Sequence, residues 1–260
     1  MKEIPILFST PMVQANLEGR KKMTRRMTGL DNVNEDPDKV EFVRFQQYKK
    51  DGSYRAIFQH EDADGFGSVK CPYGQLGDVL WVRETWCLDL FNKNVYKATD
   101  GLTDGVGRKF TFSPSIHMPK SAARIWLQVE EIRVERLNEI TRADAIAEGI
   151  KVKYLDGTAV FDDYACPDSF PYPFISARES FKSLFLSING KPKPQREHGE
   201  TGKILCFYAI AWDQEDYDRR WAKYNGIYRN KSLHVIINPW VWVVKYKVLS
   251  TTGKPKTEPG

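Results

Sequence analysis

The sequence predicts an α+β fold, a small β-barrel with short flanking helices and two insertions. Two observations predict it. Apolar residues alternate over short runs at Leu80-Val82, Ile125-Leu127-Val129 and Val241-Val243, which is the period of a strand. Helical patterns are few and brief. Many short strands with a few short helices are satisfied by a small barrel whose ends the helices plug. The 260 residues suffice for one large domain or two small ones, and with 41% of them hydrophobic a core can form.

In chain order, Pro5-Ile6-Leu7-Phe8 reads as a short buried strand. A helix follows from Ser9-Thr10-Pro11, where Ser9 or Thr10 caps and Pro11 suits the first turn, and Gly19 is its exit. Residues 27 to 39 form a polar loop. Strands over 40 to 48 and 54 to 59 flank Asp51-Gly52, a hairpin turn signal, and 62 to 67 return to loop. Gly77-Asp78 turns into a strand that runs through Trp86. Its Leu80, Val82 and Glu84 share one face, with Val79, Trp81 and Arg83 on the other. Adjacent Arg83 and Glu84 are expected to form a strand ion pair. Residues 94 to 112 read as weak strands joined by glycine-rich turns, and 113 to 120 as an extended, proline-bounded segment.

The longest strand signal covers 123 to 137. Ile125, Leu127 and Val129 alternate; Ile132 and Val134 continue out of phase. The slip falls at Glu130-Glu131, and a bulge there keeps both apolar sets inward. Thr141-Arg142-Ala143-Asp144 resembles a capping box opening a two-turn helix that ends at Glu148-Gly149. Ser176-Ala177-Arg178-Glu179 is a second box, after which Phe181, Leu184, Phe185 and Ile188 fall on one helical face. Residues 191 to 203 read as a Pro, Lys and Gly-rich linker, 204 to 212 as a buried strand, and 213 to 225 as a helix. Its Tyr217, Trp221 and Tyr224 stripe is read as packing. Asn238 to Tyr246 is an emphatic final strand, and 251 to 260 a disordered tail.

The formal charge is +5 and aromatics make up 13%, a balance that admits nucleic acid without requiring it. Cys71, Cys87, Cys166 and Cys206 form no C-x-x-C pair and none neighbours a His at zinc-ligand spacing, so neither a metal nor a cofactor is expected. No run reaches membrane-spanning length and the first residues have no apolar signal core. A soluble, cytoplasmic protein with no membrane partner is expected. G-x-S-x-G, H-E-x-x-H, P-loop and dinucleotide motifs are absent, which argues against the common hydrolase, metalloprotease, NTPase and dehydrogenase classes. Nothing in the pattern sets an oligomeric state.

Chemistry concentrates in Gly19-Arg20-Lys21-Lys22-Met23-Thr24-Arg25-Arg26, where five of eight residues are basic and one hydroxyl sits among them. Like charges this dense repel unless an anion shares the space, and phosphate is the obvious anion. A solvated basic loop is the plain alternative. Cationic neighbours lower a Lys pKa, so Lys21 is a candidate base for the Thr24 hydroxyl three residues on. Glu148 conflicts with its surroundings: a carboxylate at a helix C-terminus faces the negative end of the dipole. Such a local conflict flags either a functional group or a solvated surface residue.

These segments, in this order, resemble the ASCH family of the PUA-like superfamily, small barrels that bind RNA or modified bases. The matching pieces are Leu17 to Arg26, Gly77-Asp78-Val79-Leu80-Trp81-Val82, and Leu137 to Gly149 ending Ala147-Glu148-Gly149. The larger bacteriophage-type members also carry segments like Pro114 to Pro119 and Asn238 to Val243. The resemblance implies one domain over 1 to 250, with insertions at about 28 to 70 and 191 to 237. Residues 4 to 27, 77 to 150 and 239 to 248 would build its barrel. Small enzymes of the family remove the acetyl group from N4-acetylcytidine with a Lys, a Thr three residues later and a Glu, positions matched here by Lys21, Thr24 and Glu148. Lys22 replaces the small residue usual between the Lys and the Thr.

Three readings follow. The first is a protein that binds RNA, DNA or a modified nucleoside through Arg20, Lys22, Arg25, Arg26, Arg83, Trp86, His117 and Lys120, with the basic run on phosphate and a base stacked on an aromatic such as Trp86 in a pocket beside the barrel. The second is an amidohydrolase on N4-acylated cytidine using Lys21, Thr24 and Glu148. The third is a structural or partner-binding protein, favoured if the 20 to 26 run is buried in ion pairs.

Overall fold

A computed structural model of the chain describes residues 1–50, 52–62, 66–162, 164, 174, 176–189, 193–196, 204–224 and 232–255. The fold is mixed α+β. Its centre is a five-stranded sheet in the order Glu3–Leu7, Val79–Arg83, Trp126–Arg136, Trp240–Ser250, Met23–Arg26. The first pair is parallel and the others antiparallel. The three segments expected to share one domain therefore meet in one sheet, and the last strand lies inside it. Helices α1 (Thr10–Leu17), α2 (Arg142–Ala147), α3 (Ala177–Asn189) and α4 (Gln214–Tyr224) flank the strands.

The expected slip in the long strand is present. Glu131 pairs with Lys245 and Val129 with Tyr246, which leaves Glu130 as the extra residue of a bulge. Leu127, Val129, Ile132 and Val134 consequently all reach one core, with Ile6, Phe8, Leu80, Val82, Trp242 and Val244. On the opposite face Met23, Val241 and Val243 pack against Ile140, Phe181 and Phe185.

Closure of the barrel is where expectation and structure differ. Among the described residues no strand pairs Glu3–Leu7 with Met23–Arg26, so both remain edges. A side chain spans the gap instead: Arg26 Nη2 donates to the Leu7 carbonyl oxygen at 2.7 Å.

The two expected insertions are small sheets. Val40–Gln47, Tyr54–His60 and Phe66–Lys70 form an antiparallel triplet. It is part of the main core rather than an appendage, since Phe58 meets Trp240 edge-on at 5.6 Å and Phe45 lies 6.3 Å from Trp242. Its turn carries Gly52 at φ +62, while Asp51 and residues 63–65 lie outside the described residues. The second insertion holds Lys193–Arg196, Ile204–Ala211 and Ser232–Ile237, with Ile210 and Trp212 packed against Phe181 and Phe185 of α3. The rest of the expected 191–203 linker lies outside the described residues, as do 256–260 of the expected tail.

Three local readings are corrected. Residues 113–120 are not uniformly extended but contain a 3₁₀ turn at Ser115–His117, and another follows at Lys120–Ala122. The aromatic stripe of α4 is not core: Tyr217 and Trp221 stack 6.0 Å apart and Trp221 is 37% exposed. In α3, Phe181, Leu184 and Phe185 are buried while Ile188 is 39% exposed, because the helix end passes the edge of the core.

Candidate functional site

Two helix ends meet to form the candidate site. Leaving α1, the chain turns at Gly19 (φ +71), and the Ala15 carbonyl accepts from the amides of both Arg20 and Lys21. That fixes where the Lys21 side chain departs. At the other end α2 begins at Thr141, whose hydroxyl accepts from the Asp144 amide, and closes with Glu148 as C-cap. Gly149 follows at φ +96, and a Cβ there would lie 2.8 Å from Ala15 Cβ and 3.0 Å from Lys21 Cβ. Glycine is therefore what lets the two ends touch. The Lys22 amide seals the contact by donating to the Ala147 carbonyl at 2.7 Å.

Lys21 resolves the conflict read from the sequence at Glu148. Its Nζ donates to Glu148 Oε2 and to the Glu148 backbone carbonyl, both at 2.8 Å. One ammonium thus caps the helix terminus and neutralises the carboxylate placed there. Arg25 holds the other carboxylate oxygen, with Nη1 3.2 Å from Glu148 Oε1. Arg25 also pairs with Glu135 and, through Nη2 at 2.9 Å, with Asp144 Oδ2. Burial lowers the Lys21 pKa, Glu148 opposes that by favouring the ammonium, and the Arg26 and Arg25 charges add smaller lowering effects.

Thr24 lies on the other face of its strand from Met23 and Arg25, sharing that face with Arg26. It is 1% exposed and its hydroxyl has no hydrogen-bond partner. Lys21 and Glu148 therefore meet, whereas Lys21 and Thr24 make no direct hydrogen bond. Phe8 lines this side, its ring 5.6 Å from Lys21 Nζ and 5.3 Å from the Arg26 guanidinium carbon. Tyr246 stands 6.3 Å from Phe8 and donates its hydroxyl to Asn16 Oδ1 at 3.0 Å. Burial, with Glu148 adding to it, raises the Tyr246 pKa well above the ordinary range. Lys21, Thr24 and Glu148 are 0, 1 and 3% exposed, so the side chains fill the space where an open pocket was expected. Two cavities lie elsewhere, one of about 470 Å³ beside Val40, Gln59 and Trp240 and one of about 350 Å³ between Leu90, Val95 and Phe110.

The expected nucleic-acid residues divide. Arg25 is not an outward phosphate ligand: its side chain is fully buried against three carboxylates. Arg20 pairs with Glu18 at 2.6 Å and also donates to the Gly149 carbonyl. Lys22 and His117 are exposed, and Lys120 is paired with Glu3. Arg83 does not pair with Glu84, because strand alternation sends neighbours to opposite faces. Instead Arg83 donates to the Ile116 carbonyl, and buried Glu84 takes Arg124 through two contacts of 2.8 and 2.9 Å. Trp86 is half-buried with its indole N–H unpartnered.

Sequence reasoning missed Asn16, Tyr246, Glu135 and Arg124. Asn16 carried a usable signal, a polar residue at a buried position of α1; Tyr246 and Glu135 are ordinary strand residues, and Arg124 a residue just ahead of a strand, until their partners are known. Among the described residues no group of His, Cys, Asp and Glu is arranged to hold a metal, and no helix is long and apolar enough to cross a membrane. No family model matches this chain, and no curated protein and no solved structure matches it.

Proposed function

We propose that the chain binds nucleic acid or a modified nucleoside as a protein of the ASCH type, with a PUA-like barrel left open between Glu3–Leu7 and Met23–Arg26, in which side chains shift to admit one base beside Thr24. The observation that carries this reading is the buried Lys21–Glu148 contact at 2.8 Å with the unpartnered Thr24 hydroxyl three residues along the chain. The Lys21–Glu148 pair also caps the end of α2, so the feature a scaffold leaves unused is the Thr24 hydroxyl. An unpartnered buried hydroxyl costs roughly 1–3 kcal/mol, which a base carrying donors and acceptors would recover. The seam between the two sheet edges, spanned by the Arg26 contact to Leu7, is the way in, and Phe8 supplies an apolar wall for the ring.

A second reading, hydrolysis of an N4-acylated cytidine, is favoured by the same Lys21–Glu148 contact. With two N–H groups committed to Glu148, a neutral Lys21 keeps its lone pair free to take the Thr24 proton, directly or through one water. Thr24 Oγ would then attack the acyl carbon, and the C–N bond would break as the amine regains a proton. Water would cleave the threonine ester to a carboxylate, restoring the hydroxyl. The third reading, a scaffold or partner-binding protein, gains from the ion pairs around Lys21 and Arg25, and it predicts no nucleoside affinity at all.

Binding of cytidine, N4-acetylcytidine, and short RNA and DNA strands, with chromatographic analysis of the products, separates the three. Affinity that Thr24→Val and Glu148→Gln weaken supports binding. Turnover that Lys21→Ala, Thr24→Ala and Glu148→Ala each abolish adds the enzyme. Absence of affinity for every nucleoside and strand leaves the scaffold.

A further inference from the structure

Three buried side-chain polar atoms without a hydrogen-bond partner come from one patch on the core face of the central sheet: Thr24 Oγ1, Arg26 Nε and Trp242 Nε1. Arg26 is the register partner of Trp242, and Thr24 that of Val244. Residues directly opposed in an antiparallel pair have Cβ atoms about 5 Å apart, and residues two along on the same face lie about 7 Å apart. Thr24 and Trp242 are buried and Arg26 is half-buried. The Arg26 guanidinium lies 5.3 Å from the Phe8 ring, which also lies 5.6 Å from Lys21 Nζ. Among the described residues no acid pairs with Arg26; the Phe8 ring and the Leu7 carbonyl hold its guanidinium.

That carbonyl belongs to the opposite edge of the seam. The Phe8 amide donates to the Arg83 carbonyl and the Val79 amide to the Lys2 carbonyl, so the even-numbered residues of the first strand bond to Val79–Arg83. Odd-numbered Pro5 and Leu7 therefore turn their backbone groups toward the gap. Pro5 has no N–H to give there, so a full ladder cannot zip the seam shut. What spans it is the 2.7 Å bond from Arg26 Nη2 to the Leu7 carbonyl, and that bond is exposed. Water can take either end of an exposed hydrogen bond, so breaking it costs little. In the closed seam the Arg26 Nε–H and the Trp242 indole N–H meanwhile stay without acceptors.

We propose that Arg26 is the gate of this site: its guanidinium swings off the Leu7 carbonyl to admit a ligand and then, with Trp242, donates to hydrogen-bond acceptors on it. That the ligand is a base rests on the reading given above; the gate does not. Guanidinium and indole N–H groups are donors only, so the wall they form selects an acceptor-bearing edge of the ligand. The closed state leaves buried donors unmatched. A ligand that brings acceptors removes the mismatch and draws the equilibrium toward the occupied state. Opening moves one long side chain and breaks no backbone ladder, because among the described residues the two edges share none.

Hydrogen exchange of the indole N–H groups, followed by NMR, tests the gate without any ligand. The Trp242 signal is assigned by its loss in Trp242→Phe. The Trp126 N–H, buried in a separate cluster with Val79 and Trp81 and bonded to the Ala123 carbonyl at 3.1 Å, reports opening of the whole fold. Arg26→Ala should speed Trp242 exchange several-fold and leave Trp126 exchange as it was. Arg26→Lys, which keeps the charge and part of the reach, should fall between. Loss of a cation disfavours hydroxide nearby and by itself slows exchange, so acceleration reports opening. Thermal melts report folding; should Arg26→Ala unfold, the shorter, uncharged Arg26→Gln decides in its place. Stopped-flow binding of cytidine gives the second readout. Arg26→Ala should raise the association rate and raise the dissociation rate more, and Trp242→Phe should speed dissociation. The gate is overturned if Trp242 exchange is unchanged in the folded Arg26 variants, or if Trp242 and Trp126 accelerate alike. Cytidine binding indifferent to Trp242→Phe overturns the acceptor contact. Were cytidine bound through Thr24 with Trp242 exchange unmoved by Arg26→Ala, this inference alone would fall. Were Trp242 exchange selectively accelerated with no nucleoside or strand bound, the gate would stand and the base-binding reading would fall.

Discussion

At Gly149 the backbone occupies space that no Cβ can share. With φ at +96 and Ala15 Cβ 2.8 Å from the position a methyl would take, Gly149→Ala is strained twice over. It should lose about 2 kcal/mol or more, read as a lower urea midpoint. Tyr246→Phe removes the donor to Asn16 and leaves a buried amide oxygen unpaired, so about 1–3 kcal/mol should go. Alkaline pH tests burial by another route. The Cys71 thiol, ordinarily near 9.0, is pushed up to about 12 by desolvation. The folded chain keeps that proton where the unfolded chain loses it, so its contribution is full below pH 9.0 and is lost as pH rises toward about 12. Tyr246, also raised, acts in the same direction above its ordinary value of 10.0, whereas the lowered Lys21 acts against them as pH approaches 10.5. The comparison that isolates Cys71 is wild type against Cys71→Ala, whose urea midpoint should fall less steeply above pH 9. Parallel declines in the two proteins would mean that Cys71 is not shielded as the structure has it.

Among the elements, the Glu130–Glu131 bulge shows why some structure is legible in a sequence. A half-buried strand must alternate, so a phase slip between Val129 and Ile132 leaves a bulge as the way to keep both sets inward. The end of α2 was legible for a similar reason, since Gly149 is a residue type with few other uses after a helix. The hairpin sheet was not. Phe42 and Phe45 are three apart and out of phase by strict alternation; a second bulge between Phe42 and Arg44 returns them to one side. Without that knowledge the segment reads as an insertion beside the fold, when it covers Trp240 and Trp242. Phe58→Ala should therefore destabilise the whole domain by about 3–5 kcal/mol, with a single unfolding transition seen by both tryptophan fluorescence and far-UV circular dichroism. A separate early transition confined to a loose hairpin is the outcome that contradicts it.

For the whole molecule, the decisive contacts join residues far apart in sequence. Lys21 and Glu148 are 127 residues apart, and only the ordered set of segments, not local pattern, suggested that they meet. Which cations of the basic run turn inward was hidden, because charge density looks the same whether Arg25 faces three carboxylates or solvent. The strand Met23–Arg26 decides it by alternation, but a four-residue strand among five cations has no hydrophobic period to announce itself. The same long-range logic governs folding. Trp240–Ser250 lies between Trp126–Arg136 and Met23–Arg26, so the last strand made must enter the middle of the sheet. Until it does, Thr24 and the strand that carries it have no neighbour to pair with, and the backbone groups of both flanking strands face water or each other. Removing 251–260 takes away an amide contact from Gly253 to the Arg124 carbonyl and an exposed Lys254 pair with Glu3, and should shift the urea midpoint only slightly, by less than about 1 kcal/mol. Removing 239–260 takes the interior strand Trp240–Ser250 as well. That fragment should show no cooperative transition, and a synthetic peptide of residues 238–250 added in trans should restore one in a concentration-dependent way, as expected when binding and folding are coupled. A fragment ending at Asn238 that unfolds cooperatively by itself, with wild-type midpoint, would mean that the central sheet holds without the strand placed at its heart.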